Sequence, residues 1–259
     1  VPEYTKKLNI RSSDWNYGGP KWKLSRSKLD LFQECKLCFY LDNKLGVSRP
    51  RGPAFTLNIA VDALLKKEFD IHRIAKAPHP LMEAYHIDAV PFSHPDLDTW
   101  RQNFEGIQYL DPDTGITVSG AIDDVWVDSA GELMVVDYKA TSKEGKIESL
   151  ADSSWEGQYR RQMEVYQWLL RKKGFTVSPT GYFVYVNGKT DRKAFDGRLE
   201  FDVTIIPQTG DDSWVHGMVV EAKKCLESAK APSPSPTCEY CAYRKNARDV
   251  QSKETKKSI

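Results

Sequence analysis

The sequence predicts an α/β protein, a mixed sheet of four or five strands flanked by helices. Three observations predict it. Apolar residues recur at helical spacing in four separated stretches. Between these lie short runs rich in β-branched and aromatic residues, bounded by Gly, Pro and Asn. Two of those runs, within residues 120–141, are joined by a tight turn, Ser129-Ala130-Gly131. A length of 259 residues suits one large domain or one domain with a small appendage.

Residues 1–24 form a polar and aromatic extension without clear period, with turn signals at Gly18, Gly19 and Pro20. A helix begins near Ser25 or Ser27, both suitable N-caps. Leu29, Phe32, Leu37 and Phe39 follow at helical spacing until Arg49-Pro50-Arg51-Gly52-Pro53 breaks the pattern. A second helix spans about Ile59 to Phe69, with Val61, Leu64, Leu65 and Phe69 on one face. Residues 77–96, rich in Pro and His, read as loop or edge strand. Strands are expected at 107–110, 116–128 and 132–139. A helix from Trp155 to Lys173 ends in Arg171, Lys172, Lys173 and Gly174, a basic last turn followed by the usual stop residue. Strands at Gly181–Val186 and Leu199–Ile206 flank Asn187-Gly188, read as a turn. A helix from Ser213 to Ser228 precedes a stiff connector, Ala231 to Pro236. The domain closes near residue 245, and 246–259 read as a disordered tail.

Composition excludes little. Apolar residues make up 40% and charged residues 28%, ordinary for a globular protein. A net charge of +1 argues neither for nor against nucleic acid, because metal-binding acids and phosphate-binding bases cancel in the total. No run approaches the roughly 18 apolar residues of a membrane span. VPEYTKKLNI lacks the apolar stretch of a secretory signal, so cytoplasm is the expected compartment. No GxxxxGK[ST] motif is present, so any helicase must be a partner. Four of the five cysteines form two C-x-x-C pairs, Cys35/Cys38 and Cys238/Cys241. Such pairs suit a four-thiolate site for Zn²⁺ or an iron–sulfur cluster better than a disulfide framework. Cys225, beside Leu226, Val219 and Ala222, reads as a core residue.

The segment GAIDDVWVDSAGELMVVDYKAT, 120–141, is the most informative. With a three-residue loop, Asp128 pairs with Glu132 and Asp123 falls opposite Asp137. Opposed residues share a face with Cβ atoms about 4.5–5.5 Å apart, and strand period two adds Lys139. A four-residue loop would turn Asp124 to that face instead. Two carboxylates so placed repel, and burial adds desolvation. A divalent cation relieves both, and Mg²⁺ (or Mn²⁺) suits carboxylates, waters and phosphate oxygens.

GAID at 120–123, VVDYKAT at 135–141 and Gln162-x-x-x-Tyr166 on the following helix resemble the RecB-like branch of the PD-(D/E)xK nucleases. The resemblance covers about 25–245. It implies a restriction-endonuclease-like core in which Asp123 and Asp137 bind metal, Lys139 is the catalytic lysine, and Gln162 and Tyr166 serve the active site. The family's further ligand, often His on an early helix, falls on Asp62 here, with Glu68 as the alternative. The stretch SRSKLDLFQECKLCFYL and PTCEYCAYRKNA resemble the cysteine segments of the branch's iron–sulfur exonucleases. One C-terminal cysteine of that pattern is missing, and Cys38 compensates, giving Cys35, Cys38, Cys238 and Cys241. The implied cofactor is a [4Fe–4S] cluster, with Zn²⁺ as the alternative. The implied activity is Mg²⁺-dependent hydrolysis of DNA, as an exonuclease on ends or single strands in repair, recombination or defence. The rivals are a restriction- or repair-type endonuclease, and a non-catalytic nucleic-acid-binding or interaction module. Lys143, Lys146, Arg160, Arg161 and Lys189 are candidate phosphate contacts, and Trp155 and Tyr159 candidate stacking residues.

Overall fold

The computed structural model of the chain describes residues 11–50, 52–149 and 154–257, with the side chains of 154–156 and 254–257 left aside. The first half holds β1 (Leu24–Ser25), α1 (Arg26–Glu34), α2 (Lys36–Asn43), α3 (Thr56–Ala75), α4 (Pro80–Ala84), β2 (Val90–Pro91) and α5 (Leu97–Trp100). Next come β3 (Ile107–Asp111), β4 (Ile116–Gly120), β5 (Asp124–Val127) and β6 (Leu133–Thr141). Then follow α6 (Ser154–Lys172), β7 (Thr180–Gly188), β8 (Phe201–Thr209), α7 (Trp214–Glu227) and α8 (Glu239–Lys257).

The chain divides into two units interleaved in sequence. The first comprises 1–52, 111–117 and 216–259, the second 53–110 and 118–215. The second is built on a five-stranded sheet of order β2-β5-β6-β7-β8. Its central pair, β6 and β7, is parallel and the other pairs are antiparallel. A parallel pair needs a crossover, and α6 is that crossover.

Side-chain alternation along β6 decides which helix covers which face. Met134, Val136 and Tyr138 point one way and form a core with Leu65 and Phe69 of α3, Trp126 of β5, and Val184 and Val186 of β7. Phe69 stacks on the Trp126 ring at 5.5 Å. Val135, Asp137 and Lys139 point the other way, toward α6. A Cβ on Gly181 of β7 would lie 2.3 Å from Met163 Sδ, so strand and helix backbones meet closely there.

In the first unit, Phe32 and Phe39 pack edge to face at 5.0 Å, joining α1 to α2. Lys44 Nζ and Tyr40 Oη both donate to the carbonyl of Ser228, tying α2 to the end of α7.

Four expectations need correction. The helix expected from residue 25 is two helices, because Cys35 is extended (φ −159°, ψ 105°) and resets the direction of the chain ahead of Cys38. Residues 11–24 are not a loose extension: Leu24 is fully buried, Trp22 donates to Asn43, and Arg11 pairs with Asp42. Asn187 and Gly188 continue β7 opposite Asp202 and Phe201, so the connection to β8 is 189–200. The Asn187 amide instead holds the 143–145 backbone, bonding Lys143 N, Lys143 O and Gly145 O. The tail is helical to Lys257 rather than disordered.

Candidate active site

The turn between β5 and β6 fixes everything that follows. Gly131 has φ +82°, the left-handed conformation that closes a three-residue loop. Asp128 N donates to Glu132 O at 3.1 Å, and Asp128 Oδ1 accepts from the backbone of Ala130 and Glu132. The ladder then runs from Val127↔Leu133 to Asp124↔Val136. Asp123 stands in the bend just before β5, the next position outward in the register that a three-residue loop predicts, and its charge acts on Asp137.

Asp123 is held by backbone on one oxygen: its Oδ2 accepts from Tyr138 N at 3.0 Å. Asp137 is fully buried. Its Oδ1 accepts from Gln162 Nε2 at 2.7 Å. Lys139 Nζ stands against its Oδ2 as an ion pair. Burial raises the Asp137 pKa, Lys139 lowers it, Asp123 raises it again, and the outcome is about 7. Burial opposes the charge on Lys139, but Asp137 and Asp123 outweigh it and hold its pKa above the usual value.

Gln162 links the set. Its Oε1 accepts from Lys139 Nζ at 3.3 Å and its Nε2 reaches the Tyr166 hydroxyl at 3.1 Å, so spacing of four on α6 places both at the site. Tyr159, also on α6, lies under Lys139 Nζ at 4.6 Å, and Phe183 of β7 at 5.9 Å. These rings supply a cation–π contact for a buried ammonium.

On α3, Asp62 rather than Glu68 turns to the site. Lys66 Nζ bridges Asp62 Oδ2 at 2.9 Å and Asp123 Oδ1 at 3.3 Å. Burial and the Asp123 charge raise the Asp62 pKa, against the pull of Lys66 and Arg101. Glu68 instead bonds His79 Nε2 at 3.0 Å. His79, in the stretch expected as loop or edge strand, is buried and caps α4. Lys66 and Arg101, whose Nε donates to Asp123 O at 3.1 Å, are site residues that sequence reasoning missed. Lys66 had a signal, four residues after Asp62 on one helix face. Arg101 had none.

Asp124 faces the α3 side. It is fully buried with Arg73, Arg101 and the Tyr138 hydroxyl on its oxygens, and both arginines also reach Asp70. This network lies directly behind the Asp123/Asp137 pair in the sheet.

The basic residues divide. Lys143, Lys146, Lys189 and Arg192 line one open pocket past the β6–β7 strand ends. Lys189 is paired there with Asp202 at 2.6 Å. The side chain of Trp155 lies outside the described residues.

In the first unit, Cys35, Cys38, Cys238 and Cys241 converge. Sγ separations are 3.8 Å for Cys35–Cys241, 3.6 Å for Cys38–Cys238 and 3.6 Å for Cys38–Cys241. Sulfurs about 2.3 Å from a tetrahedral zinc ion stand about 3.8 Å apart. Arg49 donates to Cys238 Sγ at 3.5 Å and Ser235 N to Cys35 Sγ at 3.4 Å, contacts suited to thiolates. Burial works against the Cys35 thiolate, yet backbone bonds from Ser235 and Cys38 and the neighbouring thiols bring it down to about 7. Cys225 is half-buried in α7 and outside this group.

Fold and site together define a class: an α/β protein whose mixed sheet carries an acidic, lysine-bearing hairpin beneath a helix that supplies Gln and Tyr. The chain belongs to the PD-(D/E)XK nuclease superfamily, whose profile matches residues 57–246. No curated protein sequence matches the chain. Among solved structures, that of SSO0001 aligns with 86% of this chain and 81% of its own, at 11% identity and a TM-score of 0.36. Among the described residues, no helix is long and apolar enough to cross a membrane.

Proposed function

We propose that this protein is a divalent-metal-dependent deoxyribonuclease that hydrolyses phosphodiester bonds, acting as an exonuclease on DNA ends or single strands. The observation that carries the reading is Asp123 beside Asp137 at the hairpin, with Lys139 against Asp137 and Gln162 bonded to both Asp137 and Lys139. The acidic set offers a cation carboxylate oxygens, and ammonium groups already stand at them: Lys139 against Asp137 Oδ2, and Lys66 between Asp62 and Asp123. Asp62, Asp123 and Asp137 would hold Mg²⁺ or Mn²⁺, which would supply Lewis acidity toward the phosphate and make water more acidic.

The chain's own residues do the rest. Lys139, cationic and desolvated, offers its ammonium to the attacking water or to charge developing on the phosphate. Gln162 holds Asp137 and Lys139 in one orientation, and Tyr166 holds Gln162. Lys143, Lys146 and Lys189 beside the pocket provide a path for the phosphate backbone. At the cysteines, the sulfur spacing favours one tetrahedral zinc-class ion over a four-iron cluster, whose iron cube must fit among the sulfurs and spreads them further. The exonuclease preference rests on the RecB-like motif order alone.

The test is cleavage of end-labelled single- and double-stranded DNA with Mg²⁺, Mn²⁺ or EDTA. Asp137→Ala should be inactive and Lys139→Ala should lose about 10²–10³-fold in kcat, the cost of removing one preorganised charge-stabilising donor. A ladder growing from one end would establish exonuclease action. Cleavage that survives both substitutions would remove the assignment.

A further inference from the structure

Asp111, Asp113 and His216 serve neither the nuclease centre nor the cysteine site. All three lie in the first unit. Asp111 ends β3, Asp113 sits in the turn to β4, and His216 belongs to the first turn of α7. One carboxylate oxygen from each Asp and a ring nitrogen of His216 lie within 4.8 Å of one another.

His216 stands at ion-pair distance from both carboxylates without a hydrogen bond to either, a spacing that ligands of one ion share. His216 Nε2 stands 3.4 Å from Asp111 Oδ1 and 3.3 Å from Asp113 Oδ2. That nitrogen is buried and hydrogen-bonds to neither, nor to any other described residue. N–H···O bonds run at about 2.7–3.2 Å. Donors about 2.0–2.1 Å from a tetrahedral zinc ion stand about 3.3–3.4 Å apart, which matches both separations.

The support is in place. Asp111 is 2% exposed. Its Oδ2 accepts from Thr114 Oγ1 at 2.5 Å and Thr114 N at 3.2 Å, leaving Oδ1 turned to His216. Lys223 Nζ donates to Thr114 O at 2.8 Å and fixes the turn from behind. Among the described residues, no Lys or Arg pairs with Asp111 or Asp113. The cation that the buried Asp111 carboxylate needs is therefore either a protonated His216 or a metal ion in its place.

We propose that Asp111, Asp113 and His216 form a further metal site, for a zinc-class divalent ion held by one imidazole nitrogen and two carboxylate oxygens. The imidazole selects a first-row transition ion over Mg²⁺. With three protein donors, a fourth position stays open to water or a ligand. Bound there, the ion clamps the β3–β4 turn to α7.

The experiment measures zinc stoichiometry and affinity in the full chain, with Asp113→Ala, His216→Ala and Thr114→Val in parallel. The Asp113 side chain is 72% exposed, so Asp113→Ala leaves the fold intact even if His216→Ala does not. The thiolate charge-transfer absorption of the Co²⁺-loaded protein reports the cysteine site separately. The parent should bind one more equivalent than Asp113→Ala or His216→Ala at unchanged thiolate absorption. Thr114→Val, which frees Asp111 to turn, should bind about tenfold more weakly. Equal stoichiometry and affinity in parent and Asp113→Ala would overturn the site.

Discussion

At Asp137, burial and a neighbouring carboxylate push toward the protonated form while Lys139 pushes back. The net pKa of about 7, against an ordinary 3.8, has a sign that can be checked. In the metal-free protein the folded state binds a proton that the unfolded state has already released between those values. The stability this provides is complete below the unfolded value and lost as pH rises through about 7. Urea melts of metal-free protein should therefore show stability falling across that window, and Asp137→Asn should flatten the fall. Divalent metal should bind more tightly as pH rises through the same window, because it competes with that proton. Asp124 carries a second test. Two guanidiniums compensate its buried charge. Arg73→Met leaves that charge half-compensated and should cost about 3 kcal/mol in urea melts, the low end for breaking a buried pair because Arg101 remains.

Among the elements, β4 and α6 constrain each other through one glycine. A Cβ on Gly120 would lie 2.6 Å from Tyr166 Cε1 and 3.1 Å from Leu169 Cδ1. The Gly of GAID and the Tyr of Q-x-x-x-Y thus belong to one contact: the ring lies where any side chain at 120 would stand. Gly120→Val should cost about 1–3 kcal/mol by overpacking. It should also displace Tyr166 and with it Gln162, so cleavage should fall even at temperatures where the variant remains folded by circular dichroism. The same element-level logic explains Lys139. Strand alternation puts it on the α6 face, and the Tyr159 ring on α6 covers its charge.

For the whole molecule, the cysteines join segments some 200 residues apart in sequence, Cys38 to Cys238. A metal that closed so long a loop would remove about 5 kcal/mol of chain entropy from the unfolded state. Cys238→Ser, or stripping the metal with a strong chelator, should lower stability by an amount of that order. Calorimetry would read it as a lower melting temperature, and an unchanged transition would mean that the thiols hold no metal.

The sequence pointed to the acidic hairpin. A three-residue loop ending in Gly131 and strand period two are local rules that put Asp123, Asp137 and Lys139 on one face; a four-residue loop, which the sequence left open, is excluded by the left-handed Gly131 and the Asp128–Glu132 bond. The i, i+4 spacing of Gln162 and Tyr166 is equally local, as are the C-x-x-C pairs. Tertiary structure decided what depends on contacts distant in sequence. It turned Asp62 to the site and Glu68 to His79, set Lys66 and Arg101 against Asp123, and buried Asp124 between two arginines. It broke the first helix at Cys35 and folded residues 11–24 against α2. It also brought His216 to Asp111 and Asp113, a meeting no periodicity signals, because its donors lie on different elements about a hundred residues apart and only packing fixes their separation.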